Sequence, residues 1–289
     1  MSRMRILVTG AEGQLGRSLA KHAHTSQASV VFASRSDLDI ADTEAFRPFF
    51  ASHQFDFCIN TAAYTKVDLA EQQQQEAHLI NGIAPGFLAQ ACHDQGCTFI
   101  HLSSDYVYHN GLRRSLREDD PVSPVSVYAQ TKLEGEQNAL HANPRTLIIR
   151  TSWLFSEFGH NFVKTMTRLM IAGKSLRIVN DQFGCPTYAG DLALVILKII
   201  KTLHADGPRD EMYGIFNYCN EGTTTWYDFA REIATMLGVT PDIIPVSTSD
   251  YAAPASRPLY SVLDTTKIKK AYGIQIGHWR EGLSLVLEN

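Results

Sequence analysis

Residues 5–16 read Arg5-Ile6-Leu7-Val8-Thr9-Gly10-Ala11-Glu12-Gly13-Gln14-Leu15-Gly16, an apolar run that stops at a glycine and then takes up helical spacing. The glycines are spaced three and three. Glycine permits the tight turn and lets a backbone approach a pyrophosphate. A helix starting there offers that anion free N–H groups and the positive end of its dipole. The context, end of a strand and start of a helix, is the one a dinucleotide fingerprint requires. Gly10, Glu12, Gly13, Gln14, Leu15 and Gly16 are therefore assigned to cofactor binding.

Outward from this loop the first half alternates strand-like and helix-like segments. Strands are expected at 5–9, 29–34, 56–60, 98–103 and 146–150. Helices are expected at 14–24, 43–52 (capped by Asp42 or Thr43), 67–94 with a break near Pro85, and 126–141. Parallel strands need crossover connections, so this rhythm implies a Rossmann-like, doubly wound α/β fold with helices on both faces. After Arg150 the pattern loosens. Helices are expected near 161–172, 189–203 and 225–237, and the proline-rich stretch 241–258 reads as loop. The expected division is a cofactor domain over 1–150 and a smaller, mainly substrate-binding lobe over 151–289, with some segments returning to the first sheet.

Composition removes other classes. The 289 residues are 44% hydrophobic and 19% charged, enough for a core and unlike a disordered chain. With 26 Lys and Arg against 30 Asp and Glu the formal charge is -4, which disfavours nucleic acid as a partner. No stretch is apolar for long enough to span a membrane, and the N-terminal residues lack a signal-peptide pattern. Cys58, Cys92, Cys97, Cys185 and Cys219 form no C-x-x-C pair and read as buried thiols. The expected location is the cytoplasm. The eleven histidines show no ligand spacing, so no metal site is assigned.

The tip of the second strand selects between nicotinamide cofactors. A carboxylate there would hold ribose hydroxyls and repel a 2′-phosphate. Here the strand ends Phe32-Ala33-Ser34-Arg35, with no acid at the tip and an arginine fork suited to phosphate. NADPH is the expected cofactor and NADH the alternative. Ser34, Arg35, Asp39 and Ile40 are assigned to the adenosine end.

Tyr128-Ala129-Gln130-Thr131-Lys132 places a phenol and an ammonium four residues apart, on one face of a predicted helix. A free phenol, with a pKa of about 10, is a poor proton donor near neutrality, and an adjacent cation lowers that value. Lys132 is also expected to hold the nicotinamide ribose. At the end of the fourth strand, in His101-Leu102-Ser103-Ser104-Asp105-Tyr106, the Ser104 hydroxyl is placed to meet a carbonyl oxygen beside Tyr128. Ser104, Tyr128 and Lys132 form the expected catalytic set. No G-x-S-x-G elbow supports a hydrolase.

These motifs, together with Asn60-Thr61-Ala62-Ala63-Tyr64-Thr65-Lys66-Val67-Asp68, resemble the extended short-chain dehydrogenase/reductases. More narrowly, the chain resembles the dTDP-4-dehydrorhamnose reductase family. That likeness rests on Arg150-Thr151-Ser152-Trp153-Leu154-Phe155, Asn161-Phe162, residues Asn180 to Thr187, Gly222 to Tyr227, and Ser256-Arg257-Pro258. It covers nearly the whole chain. It implies NADPH-dependent reduction of the C4 keto group of dTDP-4-dehydro-L-rhamnose. It also implies Ala62, Ala63 and Tyr64 against the cofactor, Ser104, Asp105 and Trp153 at the sugar, and Trp226 and Arg257 on the nucleotide side. Two positions depart from the family pattern: Ser104 stands where Thr is usual, and Tyr108 where Phe is usual. A homodimer and a magnesium ion, both described for some relatives, stay open. So do two other readings: a sugar-nucleotide epimerase or dehydratase, and a non-catalytic subunit like the regulatory subunit of methionine adenosyltransferase.

Overall fold

The computed structural model describes residues 3–25, 28–207 and 209–288. Its centre is a six-stranded sheet of β1 (Arg5–Thr9), β2 (Ser29–Ala33), β3 (Phe57–Asn60), β4 (Thr98–Ser104), β5 (Thr146–Thr151) and β6 (Gly214–Tyr218). Every neighbouring pair is parallel, in the order β6-β5-β4-β3-β1-β2. The chain leaves β1 toward β2, then returns to build β3, β4 and β5 on the other side. A crevice opens at that reversal, above the carboxyl ends of β1 and β3.

Alternation along β1 explains the two-sided burial. Ile6 and Val8 face one layer with α1 (Gln14–His22) and a long helix at Ala189–Asp206, through Leu15, Leu19, Leu192 and Ile196. Leu7 faces the other layer, made by α2 (Phe46–Ser52), α3 (Ala84–Asp94) and α4 (Val127–Ala142), through Phe46, Phe50, Leu88 and Ala139. A separate core holds Phe155, Val163, Phe229, Trp279 and Leu283 from the second half. The five cysteines are buried free thiols. Among the described residues no helix is long and apolar enough to cross a membrane.

Several local expectations change. Residues 67–94 are two short helical turns, Val67–Ala70 and Gln74–Ala77, then a π-helical turn at His78–Ile83 that runs into α3. Pro85 sits in the first turn of α3, where its missing N–H costs nothing, so the break falls before it. Gly135 of α4 packs on the Asn81 carbonyl of the π turn, where a Cβ has no room. At the start of the second helix Asp42 makes no side-chain capping bond, and a 3-10 turn at Thr43–Ala45 leads in instead. Within 241–258, Ile243–Val246 is a strand paired in parallel with Leu176–Val179. Pro245 is tolerated because this two-stranded sheet has a free edge.

Candidate active site

The glycine loop is built as a cradle. Gly10 has φ +68°, and a Cβ there would lie 2.6 Å from the Ala62 nitrogen. Gly16 does not line the crevice; it lets α1 close onto Ala11, whose Cα would stand 2.7 Å from an added Cβ. Gly13 caps α1 with no side-chain hydrogen bond, and the first turn carries no acid, so the helix end is open to an anion. Gly10, Glu12, Gly13, Gln14 and Leu15 line one wall of a cavity of about 750 Å³. Arg35, Ala62, Ala63, Ser104, Asp105, Tyr128, Lys132, Trp153 and Trp226 line the rest of it. Most of the residues singled out in the sequence therefore meet in one crevice. Its shape suits a dinucleotide lying from the loop toward β4.

Five assigned residues lie elsewhere, besides Gly16. Ile40 is a core side chain. Ser34 donates to the Asp37 carboxylate at 2.6 Å, and Asp39 accepts from Arg35 Nε at 3.0 Å. Tyr64 is buried; its hydroxyl donates to Gln73 Oε1 at 2.5 Å and its N–H to Asn81 Oδ1 at 2.8 Å. Arg257 grips Asp68 through both guanidinium nitrogens, at 2.8 and 3.0 Å. Ser34, Asp39, Tyr64 and Arg257 are absent from the cavity lining. The Arg257 fork holds a carboxylate supplied by the turn after β3, where the family resemblance implied a contact on the nucleotide side.

Helix α4 begins at the Ser126 cap, whose side chain accepts from the Ala129 N–H at 3.2 Å. That start aims Tyr128 and Lys132 at the end of β4. The Tyr128 phenol is pushed up to about 12, mainly by burial; a hydrogen bond with Ser104 opposes the shift and the Asp105 charge adds to it. Lys132 is not among the groups acting on it. Its ammonium instead donates to the Leu102 carbonyl at 2.6 Å and meets His101 Nε2 at 3.3 Å. Burial brings Lys132 down to about 8, against the Glu136 charge. The expected lowering of the Tyr128 pKa by Lys132 is thus absent from this arrangement. Tyr128 is held as a neutral phenol.

Ser104 Oγ donates to Asp105 Oδ1 at 3.0 Å and accepts from the Tyr106 N–H at 3.3 Å. Asp105 is 2% exposed, and burial raises its carboxyl to about 7. Hydrogen bonds from the Ser261 and Ser104 hydroxyls oppose that rise, and the residue lines the cavity wall. Tyr108, the second departure, has the partner its hydroxyl needs: it donates to Asn217 Oδ1 of β6 at 2.9 Å.

The far wall is aromatic. Trp153 and Trp226 stack with ring centroids 3.6 Å apart and planes 11° off parallel. Trp153 holds φ +48°, a strained conformation for a bulky residue. Gly184 makes the position feasible, because a Cβ there would come 2.6–2.9 Å from the Trp153 indole. Gly184→Ala is expected to unstack the pair and cost about 1–3 kcal/mol. Near-UV circular dichroism and urea unfolding read both effects, and an unchanged indole signal would show that the wall repacks around the methyl.

Sequence reasoning quoted Asn161 without giving it a role. Gln14 Oε1 accepts from Ser156 Oγ at 3.0 Å and from Asn161 Nδ2 at 2.9 Å, so the glycine loop is tied to the second half. Asn161 also caps the helix Phe162–Ile171 through Lys164 N–H at 3.1 Å. The Asn-before-apolar-run pattern signals such a cap. Thr61 was missed too. Its hydroxyl donates to the Thr9 carbonyl at 2.7 Å and fixes the turn beside Gly10. Among the described residues no group of three His, Cys, Asp or Glu side chains is placed to hold a metal.

Comparison with known proteins agrees with this geometry. A family model described as the RmlD substrate binding domain matches residues 4–289. A dTDP-4-dehydrorhamnose reductase of Aggregatibacter actinomycetemcomitans is 38% identical over 286 residues, 96% of this chain and 97% of that protein. A solved dTDP-4-dehydrorhamnose reductase of Clostridium acetobutylicum superposes with a TM-score of 0.92 at 38% identity, covering 99% of both chains. Another from Bacillus anthracis, solved in complex with NADP, gives 0.92 at 31% identity and the same coverage. With the model matched from Met4 onward, this chain belongs to the RmlD substrate binding domain family.

Proposed function

We propose that this protein reduces the C4 keto group of dTDP-4-dehydro-L-rhamnose, giving dTDP-L-rhamnose, with NADPH as reductant. The observation that carries the reading is one cavity holding both the glycine cradle and Ser104, Tyr128 and Lys132. The nicotinamide, when bound, supplies the hydride. The loop from Gly10 to Leu15 and the open end of α1 would hold the pyrophosphate, and Lys132 would hold the nicotinamide ribose. Ser104 and Tyr128 bracket the keto oxygen. As negative charge develops on that oxygen, Tyr128 donates its proton, and the phenol form favoured by burial is the form this needs. Asp105, on the same cavity wall, would stand beside the sugar. Trp153 would face the sugar, with Trp226 behind it toward the nucleotide.

The division of labour follows. The residues up to about 150 would serve the cofactor and those after it mainly the sugar nucleotide, in a cytoplasmic enzyme with a dTDP-sugar as its partner. The direct test is to mix the protein with the 4-keto sugar nucleotide and NADPH and follow absorbance of the reduced nicotinamide. Stoichiometric NADPH consumption is expected. A cofactor that is bound but not consumed points to an epimerase, a dehydratase or a non-catalytic subunit, and the reading fails.

Arg35 is the proposed discriminator between cofactors. It shares an exposed ion pair with Asp39, and such pairs hold weakly enough for a 2′-phosphate to displace the carboxylate. Arg35→Ala is expected to lower the kcat/KM preference for NADPH over NADH by roughly tenfold or more. An unaltered preference would make Arg35 a bystander.

A further inference from the structure

A buried polar chain runs behind the cavity from β1 to α4. Thr9 Oγ1 donates to Asn60 Oδ1 at 2.7 Å, Asn60 Nδ2 meets His101 Nδ1 at 3.0 Å, and His101 Nε2 meets Lys132 Nζ at 3.3 Å. These four residues are at most 2% exposed, so bulk water does not solvate the network. Its hydrogen bonds must be met by protein groups, except where Lys132 reaches the cavity.

A count of protons singles out His101. Burial and the Lys132 charge push its imidazolium well below the ordinary value, so the ring is neutral, with one donor and one acceptor nitrogen. With the Asn60 amide donating to Nδ1, the ring proton sits on Nε2 and faces Lys132. That arrangement suits only an uncharged amine. Turning the Asn60 amide end for end reverses every bond. Asn60 then donates to Thr9, accepts from Nδ1–H, and leaves Nε2 as an acceptor for the ammonium. Thr9 serves either order because a hydroxyl both donates and accepts.

We propose that His101 is a positioning residue for Lys132: as an Nδ1–H tautomer backed by Asn60 and Thr9, it accepts one ammonium hydrogen and keeps Lys132 both charged and oriented. With Leu102 taking a second hydrogen, one donor remains for the cavity, which is what a ribose hydroxyl requires. This rests on the reductase reading for its consequence, though not for its geometry. The other groups around Lys132 leave His101 as the free variable. Tyr128 and Glu136 lie on its own helix, and Asp105 faces Tyr128. Arg150 of β5 already compensates Glu136, at 2.6 Å.

Loss of the acceptor disfavours the charged form of Lys132, so its pKa falls. His101→Leu is expected to move the alkaline limb of kcat/KM down by roughly one pH unit, about a tenfold loss on that limb. NADPH affinity at pH 6.5 should stay within about twofold, because Lys132 is charged there in both proteins. His101→Gln retains an amide acceptor and should keep the limb within about 0.3 of the native position. An unmoved limb in a folded His101→Leu protein overturns the proposal.

Nitrogen-15 NMR of the imidazole rings decides the point on the native protein, even where that variant fails to fold. The His101 resonances, assigned by their loss in His101→Gln, should show the neutral Nδ1–H tautomer. An Nε2–H tautomer or an imidazolium at pH 6.5 overturns it. Absence of turnover with the 4-keto sugar would remove the functional reading while leaving the tautomer result to stand or fall separately.

Discussion

Tyr128→Phe is expected to lower kcat by roughly a thousandfold while leaving NADPH affinity within about twofold. The variant removes one oxygen and no packing, so the ring still lines the cavity. What disappears is the proposed proton donor to the developing alkoxide. Burial holds the Tyr128 phenol at about 12, well above neutrality, so it stays protonated throughout the working range. The pH profile should therefore fall on the alkaline side near 8, the value for Lys132, instead of at the tyrosine. The sign is set by charge: raising pH strips the ammonium proposed to hold the ribose, while the phenol keeps its proton. Stopped-flow absorbance for turnover and nicotinamide fluorescence for binding separate the two effects. A Tyr128→Phe enzyme with native kcat would shift the donor role to another acid, and Asp105, raised to about 7 and lining the same cavity, is a candidate.

The second large effect concerns stability. Arg150 and Glu136 form a buried pair, 3% and 1% exposed, joining β5 to α4. Arg150 Nη2 donates to Oε2 at 2.6 Å and Nε to Oε1 at 2.9 Å, Ser103 adds a third bond, and the guanidinium lies 4.7 Å from the Tyr108 ring centre. Arg150→Leu would strand the carboxylate in the core with Ser103 as its remaining side-chain hydrogen bond and the Lys132 charge nearby. The expected loss is about 3–5 kcal/mol, read as a lower urea midpoint. Adding Glu136→Gln should recover at least half of it, since the penalty comes mostly from the unpaired charge. A loss below about 1 kcal/mol in the single variant would mean that the core relaxes enough to hydrate Glu136.

Legibility in the sequence followed the range of the interactions. The glycine loop and Y-x-x-x-K were readable because each lies within one turn or one helix face, and backbone geometry alone brings its members together. Five of the parallel strands announced themselves as short apolar runs between helices. Gly214–Tyr218 did not, because Gly-Ile-Phe-Asn-Tyr is only half apolar and its place beside β5 is set by packing. The partner of Arg257 was not legible because the carboxylate that occupies it stands 189 residues away. Tyr64 sits where the family resemblance puts a cofactor contact, yet its hydroxyl donates to Gln73, a choice that no local pattern announces. Lys132 and Tyr128 both line the cavity, but the reach of Lys132 into β4 depends on His101 and the Leu102 carbonyl, which helix spacing cannot reveal.

The late arrival of β6 has a consequence for the order of events during synthesis. β5 is exposed along one edge until Gly214–Tyr218 is made and pairs with Leu147–Thr151. Ribosomes add about 5–20 residues per second, so the roughly 60 residues between them keep that edge open for some seconds. The edge is apolar, with Leu147, Ile148 and Ile149 in sequence, the kind of strand that recruits a neighbouring chain. The nascent chain is thus most vulnerable to mispairing after its nucleotide-binding motifs are complete and before its last central strand has emerged.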